Sequence, residues 1–163
     1  MLQPVDCFPL PDAIFTDGSL CAAGGAAAVQ PDTGTEVLVS VPNTRSSTHC
    51  ELVALRVATA LHPPQILTDS LSALHLVRGW GCKPIAKVLQ CADRVEVRQL
   101  ITTAMASGHP PLMEKVKAHD QQAIDIGHPK AVGNDLADSC AGCAATGLFL
   151  PWLPDSQLFG GPV

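Results

Sequence analysis

Residues 13–41 carry short apolar runs separated by clusters of turn formers, the pattern of successive strands. AIFTDGS starts with an apolar run and breaks at Asp17-Gly18, which predicts a buried strand ending in a turn. CAAGGAAAVQ and TEVLVSV supply two more strands, and Pro31-Asp32-Thr33-Gly34 between them suits a connection of antiparallel neighbours. From Thr48 to Leu61 the period changes. Cys50, Val53, Ala54, Val57, Ala58 and Leu61 recur at three- and four-residue steps, which predicts an amphipathic helix ended by His62-Pro63-Pro64.

QILTD then supplies a fourth strand, and Ser70 is a natural N-cap for SLSALHLVRG, so Asp69 lies where a strand meets a helix. A further helix covers Asp93 to Ala106. LMEKVK after Pro110-Pro111 predicts the last strand, chiefly from its place in the order. The final helix begins near Asn134, with Leu136, Cys140, Cys143 and Ala144 on one apolar face. Three strands followed by alternating helices and strands predict an α/β domain, a mixed five-stranded sheet with helices on both faces. The expected organisation is an arm or linker over 1–12, a body over 13–145 and an irregular apolar tail over 146–163.

Composition narrows the function classes. With 163 residues, 47% hydrophobic and 15% charged, the chain suits one domain with a real core, too short for two enzymatic domains. No run of eighteen apolar residues occurs, so no membrane helix or membrane partner is expected. The start, MLQPVDCFPLPD, has acids and prolines where a signal peptide needs a basic and then an apolar stretch, which predicts an unsecreted protein. Seven cysteines without a scaffold spacing fit reduced thiols in the cytoplasm or nucleus. Cys140-Ala-Gly-Cys143 has a zinc-like spacing but no second pair.

A net charge of −5 makes the chain a poor general binder of nucleic acid. Five of its ten basic residues, Arg78, Lys83, Lys87, Arg94 and Arg98, nevertheless fall in one stretch that holds only Asp93 and Glu96 as acids. Because charge is scarce, acids embedded in apolar sequence are informative. Asp17 and Asp69 close strands, and Glu51 lies in the first turn of the long apolar helix. Brought together, such carboxylates repel one another and lose hydration, and Mg²⁺, a hard ion that favours oxygen, is the natural compensator.

IFTDGS, STHCELVAL, ILTDSLSAL, VKAH and GNDLAD, in that order over about 13–145, resemble the ribonuclease H family. The resemblance implies a ribonuclease H-like fold and four metal-binding acids, here Asp17, Glu51, Asp69 and Asp138. Asp135 competes with Asp138 for the fourth place. It further implies that His119 of VKAH serves in catalysis by helping product or a proton leave, with His128 of GHPK as a rival. Gly18, Ser19, Ser70 and Asn134 would contact substrate. Between His119 and Asp138 lie 18 residues in which Gly127, Pro129 and Gly133 suggest a flexible loop. Thr48 and His49 stand where many relatives have Asn and Arg.

The activity implied is endonucleolytic hydrolysis of the RNA strand of RNA/DNA hybrids. Two Mg²⁺ ions would act about 4 Å apart, with Mn²⁺ able to substitute, leaving 5′-phosphate and 3′-hydroxyl ends. TDSLSAL and VKAH…GNDLAD look most like retrotransposon ribonuclease H domains, which implies a fused or associated reverse transcriptase as partner. With no Tyr, 4 Phe and 2 Trp, recognition by base stacking is disfavoured. The rival expectation is a non-catalytic scaffold of this fold within an RNA–protein assembly. Against it, opposed carboxylates without a function are lost by drift, and all four places are filled. An integrase or junction resolvase on the same fold is less consistent with VKAH and GNDLAD together. Trp80 and the segment Phe149 to Leu153 are candidate packing or contact elements.

Overall fold

A computed structural model describes residues 8–44, 46–79 and 93–146. Its elements are β1 (Ile14–Leu20), β2 (Gly24–Gln30), β3 (Thr35–Val41), α1 (Ser47–Ala60), β4 (Gln65–Thr68), α2 (Leu71–Gly79), α3 (Arg94–Ala106), β5 (Leu112–Lys115), α4 (Gln121–Asp125) and α5 (Pro129–Thr146). The five strands form one sheet in the order β3-β2-β1-β4-β5. β1, β2 and β3 pair antiparallel, whereas β4 runs parallel to β1, and β5 parallel to β4. The expected mixed sheet is therefore present.

The two-residue period of the strands sorts their side chains onto two cores. Ala13, Phe15, Ala27, Val29 and Leu67 pack with Ala137, Cys140 and Ala141 of α5. Ile14, Ala28 and Ile66 face the other way, against Leu52, Leu55 and Ala58 of α1 and Val97 and Leu100 of α3. Each fully buried Leu, Ile or Phe contributes about 1.5–3 kcal/mol of transfer free energy, so these two layers dominate the stability. Helices thus cover both faces.

Local chemistry sets where the helices start and stop. The Ser46 side chain accepts a hydrogen bond from the His49 N–H at the start of α1, and at its end Leu61 caps the helix before His62 turns with φ 55°. Ser70 Oγ accepts from the Ala73 N–H at 3.2 Å, as expected of the α2 cap. Two glycines permit unusually close packing. A Cβ on Gly18 would strike the α1 backbone at Cys50 and Glu51, and one on Gly25 would strike the α5 backbone at Ala141, Ala144 and Ala145.

Several expectations are corrected. β1 does not break at Asp17-Gly18 but runs on to Leu20, because Asp17, Gly18, Ser19 and Leu20 pair with Ala27, Ala26, Gly25 and Gly24, and this ladder outweighs the local turn preference. The stretch after His119 is not an open loop. It holds α4 and the first turn of α5, which begins at Pro129 rather than near Asn134. Pro129 is a helix starter here: the His128 C=O accepts from the Val132 N–H, and His128 Nδ1 accepts from the Lys130 N–H at 3.2 Å. Cys143 is exposed, because the buried stripe of α5 runs through Gly133, Asn134, Ala137, Cys140, Ala141, Ala144 and Ala145. The readings made of residues 1–7, Trp80, Lys83, Lys87 and 147–163 lie outside the described residues. No described helix is long and apolar enough to cross a membrane.

Candidate active site

The site lies where the parallel part of the sheet ends. β1 and β4 pair through Thr16 and Thr68; beyond that point β1 continues beside β2 while the chain after Thr68 leaves the sheet for α2. Asp17 and Asp69 are the next residues on either side of this parting. Glu51 enters from α1 just beyond its first turn, not within it as expected, because the helix already begins at Ser47, and Gly18 allows α1 to approach closely. Carboxylate oxygens of Asp17, Glu51 and Asp69 all lie within 4.8 Å of one another. Asp138, from α5 on the opposite face, comes within hydrogen-bonding reach of Asp17. Four acids separated by up to 121 positions in sequence thus share one place.

This arrangement is electrostatically costly by itself. Asp17 and Glu51 are only 4% and 8% exposed. Burial first, and then the charges of Glu51 and Asp69, push the Asp17 carboxyl up to about 10. Burial likewise raises Glu51 to about 7, with Asp69 and Asp138 adding to the shift while hydrogen bonding to Asp17 and the Gly18 backbone pulls the other way. Glu51 Oε2 is buried without a hydrogen-bond partner. A compact all-oxygen donor set with an orphaned carboxylate oxygen suits a hard divalent cation, so these residues fit the ion expected from the sequence.

The remaining candidates separate clearly. Gly18 and Ser19 follow Asp17 on β1 and are half-buried, and Ser70 sits beside Asp69 at the head of α2. Asn134 is 3% exposed and donates from Nδ2 to Asp69 Oδ2 at 3.4 Å. Asp135 is exposed and stands apart from the cluster. His119 is exposed on the turn after β5, with φ 52°, and forms no hydrogen bond or ion pair with the acids. His128 is half-buried under the Phe8 ring, with centroids 5.6 Å apart, and serves the start of α5.

Two groupings of polar residues were not anticipated, although Ser70, Thr48 and His49 each stood out singly in the sequence. Thr48 Oγ1 lies 3.4 Å from Ser72 Oγ, which lies 3.3 Å from Ser70 Oγ, so a row of hydroxyls joins the heads of α1 and α2 beside Asp69. The repeated small hydroxyl residues in STH and TDSLS were the available signal. His49, noted only as a departure, bridges Thr44 Oγ1 at 3.1 Å and Glu96 of α3 at 3.7 Å; Glu96 also receives Arg56 Nε at 2.7 Å. This braces the helix that carries Glu51.

A five-stranded mixed sheet with acids gathered at the parting of its central strands defines a class of proteins. Residues 11–146 match the family model described as RNase H, and the chain belongs to that family. Solved structures agree on the fold. RNase H1 of the halophilic archaeon Halobacterium salinarum aligns with TM-score 0.51 and 18% identity, over 83% of this chain and 97% of that one. The N-terminal RNase H domain of a Mycobacterium tuberculosis protein, solved as a fusion with maltose binding protein, gives TM-score 0.54 and 16% identity over 86% and 97%. The foamy viral protease-reverse transcriptase in complex with RNA/DNA hybrid gives TM-score 0.56 and 11% identity, over 89% of this chain and 21% of that much longer one. No curated protein matches the sequence.

Proposed function

We propose that this protein is a ribonuclease H that cuts the RNA strand of RNA/DNA hybrids, leaving 5′-phosphate and 3′-hydroxyl ends. The observation that carries the reading is the meeting of Asp17, Glu51 and Asp69 within 4.8 Å, in a chain of this family. Asp138 beside Asp17 completes a set of four carboxylates. Two divalent ions held there, Mg²⁺ by preference, would supply an activated water and stabilisation of the leaving oxygen. The protein's own part is to fix the four carboxylates on four separate elements and to hold the RNA strand over them.

Gly18, Ser19 and Ser70 flank Asp17 and Asp69, and with the hydroxyls of Thr48 and Ser72 they form a polar rim suited to 2′-hydroxyl and sugar contacts. His119, on its exposed turn after β5, would meet product phosphate as it leaves. Asp138 rather than Asp135 is the fourth ligand, because Asp135 points to solvent. The motifs TDSLSAL and VKAH…GNDLAD support descent from a retrotransposon polyprotein, with a reverse transcriptase as fused or associated partner. The likeness in fold to a protease-reverse transcriptase seen with RNA/DNA hybrid is consistent with this.

The test is incubation of the full chain with end-labelled RNA/DNA hybrid, with Mg²⁺, with Mn²⁺ and with chelator, beside Asp69→Asn. The expected result is metal-dependent fragments of the RNA strand that the variant reduces about a hundredfold or more. Stable hybrid binding without cleavage in either metal would replace this reading with the scaffold.

A further inference from the structure

Asn134 is assigned no work by the four-acid scheme, yet its surroundings are specific. It lies one helical turn before Asp138 on α5 and so on the same side of that helix. Its Nδ2 donates to Asp69 Oδ2 at 3.4 Å, while its Oδ1 is buried and has no partner. Charge fixes the orientation of the amide, since the reverse would set a carbonyl oxygen against a carboxylate. At 3.4 Å the contact is long, a restraint on the rotation of Asp69 rather than a tight clamp. With only 3% of the residue exposed, the side chain has almost no surface to offer a nucleic acid.

We propose that Asn134 is a positioning residue for the bound cation and makes no contact with substrate. This rests on the metal-dependent reading above. The amide NH₂ restricts Asp69 to a rotamer that faces Asp17 and Glu51. The amide oxygen, left without a donor by the protein, accepts from a water that the cation retains, since Mg²⁺ sheds its waters reluctantly. One side chain thereby ties the strand-end acid Asp69 to the helix that brings Asp138. It does so without contributing charge to an already crowded cluster.

The experiment compares wild-type protein with Asn134→Ala by calorimetric titration of Mn²⁺ alone, and by anisotropy of a labelled hybrid in chelator. Thermal melting establishes that both are folded at the working temperature. If Asn134→Ala does not fold, Asn134→Ser, which removes the carboxamide with less loss of volume, takes its place. The expected result is Mn²⁺ binding weakened about 10–100-fold with hybrid affinity unchanged. Mn²⁺ affinity within about twofold of wild type would overturn the inference, as would weakened hybrid binding with metal affinity retained, which is the signature of a substrate contact. A wild-type protein that binds no Mn²⁺ overturns the metal-dependent reading as well, whereas loss of the Asn134 effect in a protein that binds Mn²⁺ and cleaves hybrid overturns only the inference.

Discussion

Any cation taken up by the carboxylate cluster would be linked to stability through the same protons. Asp17 and Glu51 have ordinary values of 3.8 and 4.5 and are raised in the folded protein to about 10 and about 7. Between those limits the native state holds protons that the unfolded chain has released, so without metal the stability falls as pH rises. Melting of the metal-free protein should therefore move to lower temperature from about pH 5 to about pH 8, and Glu51→Gln should flatten that slope. Saturating Mg²⁺, which favours the ionised acids, should abolish or reverse it. An unchanged slope in Glu51→Gln would show that other groups set the pH dependence. Asp135→Asn, at an exposed position outside the cluster, should leave hybrid cleavage unchanged in the labelled-fragment assay, whereas Asp138→Asn should lower it as Asp69→Asn does.

Packing of whole elements sets the geometry within which those residues act. Gly25 lets α5 lie directly on β2, so Gly25→Ala must displace the helix backbone at Ala141, Ala144 and Ala145 or be absorbed as strain. A loss of about 1–3 kcal/mol in denaturant unfolding is expected, with reduced cleavage because α5 also carries Asp138 and Asn134. The periodic elements were legible in outline, because a run such as Cys50 to Leu61 has a helical period, but its buried face was only partly right: Leu52 and Leu55, off the expected stripe, are fully buried, and Leu61 is 45% exposed at the end of α1. What was not legible depended on partners. Asp17-Gly18 reads locally as a turn, and only the ladder with β2 holds it in a strand. Pro129 and Gly133 read as loop residues, but one starts α5 and the other rests that helix on the Phe15 ring. The acids themselves stood out because they interrupt apolar sequence. The burial of Asn134 and the hydroxyl row from Thr48 to Ser70 depend on contacts between α1, α2, β4 and α5 that no local pattern encodes.

For the molecule as a whole, charge is the limiting quantity. Net charge is −5, and the basic residues are concentrated between Arg78 and Arg98, where Arg94 and Arg98 are exposed on α3. Neutralising at most five phosphates, the isolated chain should bind hybrid with a log–log salt slope no steeper than about −4 to −5, measurable with Asp69→Asn by anisotropy across a KCl series. A steeper slope would mean that phosphate contacts extend well beyond this stretch. Ala27 stands directly across from Asp17 in the antiparallel ladder, on the face that α5 covers. Its single methyl group is the spacer between sheet and helix at the level of the acids. A bulkier residue there would work like a thicker shim, parting Asp17 from Asp138 without altering either, so that a strand bearing no acid sets the gauge of the acid cluster.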